Sequence, residues 1–254
     1  SATELCTVIG ERESGAVATI EHLMSALYGA GVDNVLVEID GVEVPILDGS
    51  AAPFVDAIDQ VGVVLCSAPR RYLKVMKPVR ATQGKAFAEL RPDDAFRLDV
   101  EIDFGDDVIG RQRRALTMTS QAYRREVSRA RTFGFMRDVE RLWAAGYALG
   151  SSLENSVVIS DDDSVINVEG LRYTDEFVRH KTLDAVGDLS LAGAPFIGCY
   201  RSYRGGHKMN ANVLKALLSD PSAYEVVETA TPRQRTRARD MVAVAVPGFA
   251  PWSA

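Results

Sequence analysis

The sequence predicts an α+β protein made of two similar layered α/β sandwich domains with the functional site between them, the first domain shortened at its N-terminus. Three observations point there. A chain of 254 residues is long enough for one large domain or two small ones. A run of short strand-like segments separated by turn residues falls between Tyr72 and Met118, with helical patterns before and after it. Each half also repeats one order of elements: a histidine-bearing helix, glycine, a strand, a glycine-containing turn and another helix. In the first half this is EHLMSALYGAGVDNVLVEI then GSAAPFVDAI; in the second it is RHKTLDAVGDLSLAGAPFIGCY then GGHKMNANVLKALL. The repeat is architectural, not residue by residue. The second half has several strands ahead of its histidine-bearing helix and the first has almost none, so the first reads as the shortened copy. The expected domains are 1–68 and 69–225, followed by a tail at 226–254.

Taken in order, Glu21–Tyr28 reads as a short helix ended by Gly29 and Gly31. Asn34–Ile39 alternates apolar residues and predicts a strand. Pro45–Ser50 is a loop whose Asp48 or Ser50 can cap a helix over Ala52–Val61, with Phe54, Val55 and Ile58 on one face. Cys66–Arg71 is a boundary. Antiparallel strands are predicted at Tyr72–Val79, Lys85–Leu90, Arg97–Phe104 and Arg114–Met118, with turns at Arg91–Asp94 and Gly105–Asp107. Arg131–Phe135 is extended, Arg137–Ala145 helical and stopped by Gly146, and Ser156–Ile159 a short strand. Asp175–Leu191 is the best-marked helix. Pro195–Tyr203 is a strand, and Asn210–Ser219 a helix with Leu214, Leu217 and Leu218 inward. The tail holds an arginine-rich stretch, Pro232–Asp240, and is expected to be partly disordered.

Composition narrows the function classes. A formal net charge of −6 argues against sequence-independent nucleic-acid binding, which needs a basic face. Cys6, Cys66 and Cys199 are odd in number and form no CxxC pair, which fits a reducing compartment and offers no cysteine zinc site. No apolar run approaches the roughly 18 residues of a membrane span, and no signal peptide is visible.

Only three histidines occur, and each sits at a helix in a polar or glycine-rich setting. His180 and Asp184 are four apart on the helix Asp175–Leu191, so they project from one face, and Asp188 extends the line. Val178, Ala185 and Leu189 lie roughly opposite. That face is either a solvated one with a His–Asp contact or one that presents an imidazole and two carboxylates to a ligand. Glu21–His22 is either an acidic helix start or a metal ligand beside a base. Gly205-Gly206-His207 is either a turn before a helix or a general acid on a loop that lets the backbone approach a ligand.

Six segments in sequence order carry a resemblance: EHLMSAL, PILDGSAAPF, RTFGF, LGSSLENSVV, LRYTDEFVRHKTLDAVGDL and GGHKMN. Together they resemble the UDP-3-O-acyl-N-acetylglucosamine deacetylases of lipid A biosynthesis, from near the N-terminus to about Ala223, with Leu171–Leu189 the most specific block. The resemblance implies a cytoplasmic zinc amidase of Gram-negative bacteria that removes acetate from a UDP-linked acylated glucosamine. It implies His22, His180 and Asp184 as metal ligands, with zinc or iron(II) as the ion a His/Asp site takes. It further implies Glu21 as general base, His207 as general acid, Thr132 as an oxyanion donor and Asp188 as the partner of the catalytic histidine. Lys181 and Phe133 fall at substrate-side positions, and Gly150, Ser151 and Ser152 in an insert lining an acyl-chain passage. A monomer without a transmembrane segment, making at most peripheral membrane contact, completes the expectation. The family carries further N-terminal strands and a GLHSG-type motif ahead of the region matched by Thr3–Val8; without them an edge or apolar face is expected to be exposed. Two rival readings remain: a truncated, non-catalytic homologue that binds metal or nucleotide-sugar, and an α+β scaffold whose histidines are incidental.

Overall fold

In the computed structural model, β10 (Phe196–Tyr203) lies at the centre of a forked seven-stranded sheet. The structure describes residues 6–11, 15–105, 108–138 and 152–229. The first two residues of β10 pair in parallel with β3 (Arg70–Val75), which pairs antiparallel with β11 (Tyr224–Thr229). From Cys199 to Tyr203, β10 runs between antiparallel β5 (Ala86–Arg91) and parallel β6 (Phe96–Asp103). Outside these lie β4 (Val79–Gln83) and β7 (Arg111–Thr117). The β4–β5 hairpin turns on Gly84, whose φ of +59° suits the first position of a two-residue turn.

Helices α1 (Glu21–Ala30), α2 (Ala52–Val61), α3 (Ser120–Glu126), α4 (Glu176–Ser190) and α5 (His207–Leu218) cover and extend this sheet, and residues 136–138 are also helical. Helix α4 lies over β6 and β7, and α5 over β4 and β5; α1 packs on the far side of α4 and also touches α2 and α3. Two short pairs complete the description: antiparallel β1 (Ile9–Glu11) with β2 (Gly15–Val17), and parallel β8 (Phe133–Phe135) with β9 (Val157–Ile159). The architecture is α+β with mixed sheets.

Because α4 is sandwiched between the sheet and α1, it is buried almost all round. Phe177, Leu183, Val186 and Leu189 join Leu98, Val100, Tyr200 and Leu217 in the core, while His180, Asp184 and Asp188 are buried as well. A solvated polar face, one of the two readings left open by the sequence, is therefore not what this helix presents.

Several expectations need correction. Asn34–Ile39 forms no strand: no strand among the described residues lies beside it, and Val35, Leu36 and Val37 are exposed, Leu36 by 84%. Alternation supplied an apolar edge but not a partner for it. The predicted strand Tyr72–Val79 ends at Val75, before Met76–Pro78, where Pro78 has no N–H for a ladder; β3 stays with β10 and β11, and Val79 instead begins β4, which pairs with β5. Helix α1 continues through Gly29 and ends at Gly31, which takes the left-handed C-cap with φ +78°. Helix α5 begins at His207, not Asn210, so His207 is a helical residue and not a loop residue. The short elements β1, β2, β4 beyond Val79, α3 and β11 are absent from the sequence reading, although Thr119 Oγ1 accepts from the Ala122 N–H as an N-cap should. β11 also runs through the expected boundary at 225. The predicted helix Arg137–Ala145 beyond Asp138, and the tail from 230 onward, lie outside the described residues.

No helix among the described residues is long and apolar enough to cross a membrane.

Candidate metal centre

The site forms where the N-terminus of α1 meets the middle of α4 and the N-terminus of α5. The close approach of α1 depends on Gly187: a Cβ there would lie 2.0 Å from the Glu21 carbonyl oxygen. With only a hydrogen at that position, Glu21 and His22 come down against Asp184 and Asp188. A second support comes from the buried Arg131–Glu176 pair. Glu176 Oε1 accepts from both the Arg131 backbone N–H and its Nε, each at 2.9 Å. This ties the RTF segment to the first turn of α4 and sets the Ala130 carbonyl against His180.

His22, His180 and Asp184 each offer one ligand atom, all within 4.8 Å of one another. His22 Nε2 and His180 Nε2 lie 3.7 and 3.3 Å from Asp184 Oδ1, and the two rings meet edge-on with centroids 5.0 Å apart. All three side chains are buried. His180 Nδ1 is 3.0 Å from the Ala130 carbonyl oxygen. Only a donor can pair with a carbonyl, so Nδ1 carries the proton. Burial pushes the His180 pKa down to about 3, so the ring is neutral near pH 7. Its Nε2 lone pair then faces a carboxylate oxygen, acceptor against acceptor. Burial likewise lowers the His22 pKa. Burial disfavours an ionised Asp184, yet His180, protonated at the acid pH where Asp184 would titrate, and the Lys181 ammonium, whose Nζ donates to Oδ2 at 2.9 Å, hold its pKa well below the usual range.

Asp184 Oδ1 and His22 Nδ1 are buried without a hydrogen-bond partner among the described residues. Such an orphan costs about 1–3 kcal/mol. Two imidazoles and a carboxylate converging with unspent lone pairs suit a divalent cation, which removes the repulsion between acceptors; the Nδ1–H bond from His180 to a carbonyl is the support a ligating histidine normally has. The residues fit a metal ion.

Two groups flank this cluster. His207 Nε2 lies 3.9 Å from Glu21 Oε1 and 3.9 Å from Asp184 Oδ2. Burial pushes the Glu21 pKa up to about 7, against the lowering charge of His207. Burial would depress His207, but its Nδ1 hydrogen bond to Asp188 Oδ2 (2.9 Å) and the charges of Asp184 and Asp188 outweigh it and push its pKa up to about 9. Between about pH 7 and about pH 9 the carboxylate is mostly ionised while the imidazole is mostly protonated, the condition for a base and an acid acting together.

The remaining predicted residues are placed as follows. Phe133 stands edge-on to His180 with centroids 6.2 Å apart, and Lys181 Nζ is 5.6 Å from the Phe133 ring centroid. A cavity of about 360 Å³ opens beside Lys181, lined by Ile102, Asp103, Phe104, Lys181, Arg204 and Gly205. The Thr132 backbone is fixed on both sides, its N–H donating to Gly49 O and its carbonyl accepting from Val157 N–H, each at 2.8 Å. Ser152 lies in an exposed turn bonded to Asn155, Glu154 and Ser156. Gly150 and Ser151 lie outside the described residues.

Sequence reasoning missed three residues around Asp188. Asn210 Nδ2 donates to Asp188 Oδ2 at 2.7 Å, and Tyr200 OH donates to Asn210 Oδ1. Asn210 was findable, being three residues from His207 on one helix face. Thr7, whose hydroxyl donates to Asp188 Oδ1 at 2.5 Å, carries no local signal.

An α+β scaffold holding a buried two-histidine, one-carboxylate cluster between a carboxylate and an imidazole has the arrangement used for metal-assisted hydrolysis. The sequence model of one family, UDP-3-O-acyl N-acetylglycosamine deacetylase, matches residues 1–219. The chain is also 58% identical over 227 residues to the UDP-3-O-acyl-N-acetylglucosamine deacetylases of Brucella ovis, Brucella canis and Brucella suis, covering 89% of this chain and 79% of theirs. The chain belongs to the UDP-3-O-acyl N-acetylglycosamine deacetylase family.

Proposed function

We propose that this chain hydrolyses the acetamide of UDP-3-O-acyl-N-acetylglucosamine, a step of lipid A biosynthesis in the cytoplasm of a Gram-negative bacterium, with zinc held by His22, His180 and Asp184. The observation that carries this reading is the unsatisfied His22–His180–Asp184 cluster set between Glu21 and His207. Zinc bound there would polarise the acetamide carbonyl and acidify a water molecule. Glu21 takes the proton from the attacking water at its carboxylate, which burial makes a stronger base than an ordinary glutamate. The Thr132 hydroxyl donates to the oxygen that becomes negative as water adds to the carbonyl. His207 then gives the proton on Nε2 to the departing sugar nitrogen, so that water and amide become acetate and amine. Asp188 keeps His207 charged and orients its ring.

The substrate-side assignments follow the same site. Lys181 lines the cavity and Phe133 stands against His180 of the cluster, and both are read as contacts for the sugar nucleotide, with Lys181 a point charge toward its anionic part. Gly150, Ser151 and Ser152 are read as lining the passage for the acyl chain. Residues 1–68 and 69–225 are read as two domains meeting at the site, the first supplying Glu21 and His22 and the second the other side chains.

The test is zinc analysis and acetate release on the purified chain. Stoichiometric zinc with release of acetate is expected, and Glu21→Gln should retain zinc while losing about 10²–10⁴-fold in rate. A zinc-loaded chain that leaves the acetamide intact would sink the proposal.

A further inference from the structure

Thr7 precedes β1, belongs to no helix or strand, and is only 5% exposed. Its polar groups all face the site. Its backbone N–H donates to Glu21 Oε2 at 3.0 Å, its carbonyl accepts from the Ile20 N–H at 3.4 Å, and its hydroxyl donates to Asp188 Oδ1 at 2.5 Å. The same hydroxyl oxygen lies 3.4 Å from His207 Nδ1.

We propose that Thr7 is a positioning residue that holds the Glu21 base and the Asp188–His207 acid pair in register with each other. The inference rests on the acid and base roles read above.

An ionised carboxylate only accepts. Asp188 Oδ2 already takes His207 Nδ1–H and Asn210 Nδ2–H, at 2.9 and 2.7 Å. Both donors come from α5, so they alone leave the carboxylate plane free to swing with that helix. The Thr7 hydroxyl approaches the other oxygen from the chain segment that leads into α1. It closes the plane between two elements and leaves no buried oxygen of Asp188 unsatisfied. A hydroxyl has a single proton, and that proton goes to Asp188. Toward His207 the Thr7 oxygen is therefore an acceptor, so both neighbours of Nδ1 call for a proton there. The ring is left to exchange its other proton at Nε2, the atom that faces Glu21 Oε1. Since the backbone N–H of the same residue fixes Glu21, one residue spans the base and the acid partner. A β-branched side chain suits the role because its χ1 is restricted.

Thr7→Val keeps the shape and the backbone N–H but removes the hydroxyl; Thr7→Ser keeps the hydroxyl. In the zinc-loaded full chain, Thr7→Val is expected to lower kcat about 10–100-fold, with KM within about threefold and zinc content as in the parent. Thr7→Ser should stay within about threefold in kcat. On an Asp188→Asn background, Thr7→Val should cost no more than about twofold further, because the hydroxyl acts through that carboxylate. The downfield NMR resonance of the His207 Nδ1 proton should shift or broaden in Thr7→Val and persist in Thr7→Ser. Should Thr7→Val not fold, Thr7→Ala drops the hydroxyl without adding a methyl group beside Asp188 and reads the same contrast. Equal kcat in Thr7→Val and the parent would overturn the proposal, as would a full loss repeated on the Asp188→Asn background or a loss confined to KM or zinc content. If the parent itself does not deacetylate, the functional reading fails first. The proton resonance in the two Thr7 variants then decides the positioning role by itself.

Discussion

The His22–His180–Asp184 cluster and the Asp188–His207 pair are built on carboxylates one turn apart on α4, yet their polar atoms meet opposite fates. Around Asp188 both carboxylate oxygens have donors, from Thr7, His207 and Asn210, and Asn210 is itself held by Tyr200. Around Asp184 one oxygen takes the Lys181 ammonium, while the other is buried against two imidazoles with no hydrogen-bond partner among the described residues. A completed network in a low-dielectric interior is rigid; an incomplete one is costly. The difference suits the two tasks proposed for them, proton transfer by the satisfied pair and cation binding by the unsatisfied cluster.

The largest break in that comparison comes from the cluster. His180→Ala removes one of three ligand atoms and should abolish both stoichiometric metal binding and acetate release, measured by metal analysis and turnover. Retained metal with full activity would show that the three side chains do not form the centre. The pair should behave differently. Asp188→Asn should leave metal content intact while lowering kcat about 10–100-fold.

The pH profile sharpens the contrast. Glu21 serves as a base only when ionised, and its pKa is pushed up to about 7, so activity should rise through about that pH. His207 serves as an acid only when protonated, and its pKa is pushed up to about 9, so activity should fall through about that value. A bound divalent cation favours the Glu21 carboxylate and disfavours the nearby His207 imidazolium, so it moves both limbs downward. In Asp188→Asn a negative charge beside the imidazole is gone, the neutral ring is favoured, and the alkaline limb should move below 9. An alkaline limb that stays in place would dissociate His207 from Asp188. The scaffold gives the least direct comparison: Gly187→Ala places a Cβ 2.0 Å from the Glu21 carbonyl oxygen, forces α1 to shift, and should cost at least about 1–3 kcal/mol of stability, read by denaturant unfolding.

How much of this was legible beforehand depended on the range of each interaction. His180, Asp184 and Asp188 share one helical face, so spacing alone aligned them. Glu21 and His22 were visible only as a helix start, and His207 only as a residue after two glycines; motif order, not spacing, brought these into one group. Asn34–Ile39 and the segment of β3 show the limit from the other side. Both alternate, but β3 has β10 and β11 beside it, and Asn34–Ile39 has no neighbouring strand among the described residues. A period of two specifies which residues share a face and leaves the partner unstated.

By itself, the sequence determined the α+β pattern, the limits of α1, α2 and α4 to within about two residues, and the chemical types that line the site, because helical periodicity, turn residues and side-chain chemistry are local properties. Only the tertiary structure decided that the polar face of α4 is buried, that Gly187 lets α1 come down onto it, and that Thr7 reaches Asp188 across 181 positions of sequence. Burial and hydrogen-bond completion depend on which distant segments meet, and it is burial that leaves Asp184 Oδ1 facing the Nε2 atoms of His22 and His180 with no hydrogen-bond partner among the described residues, a place that could hold a cation.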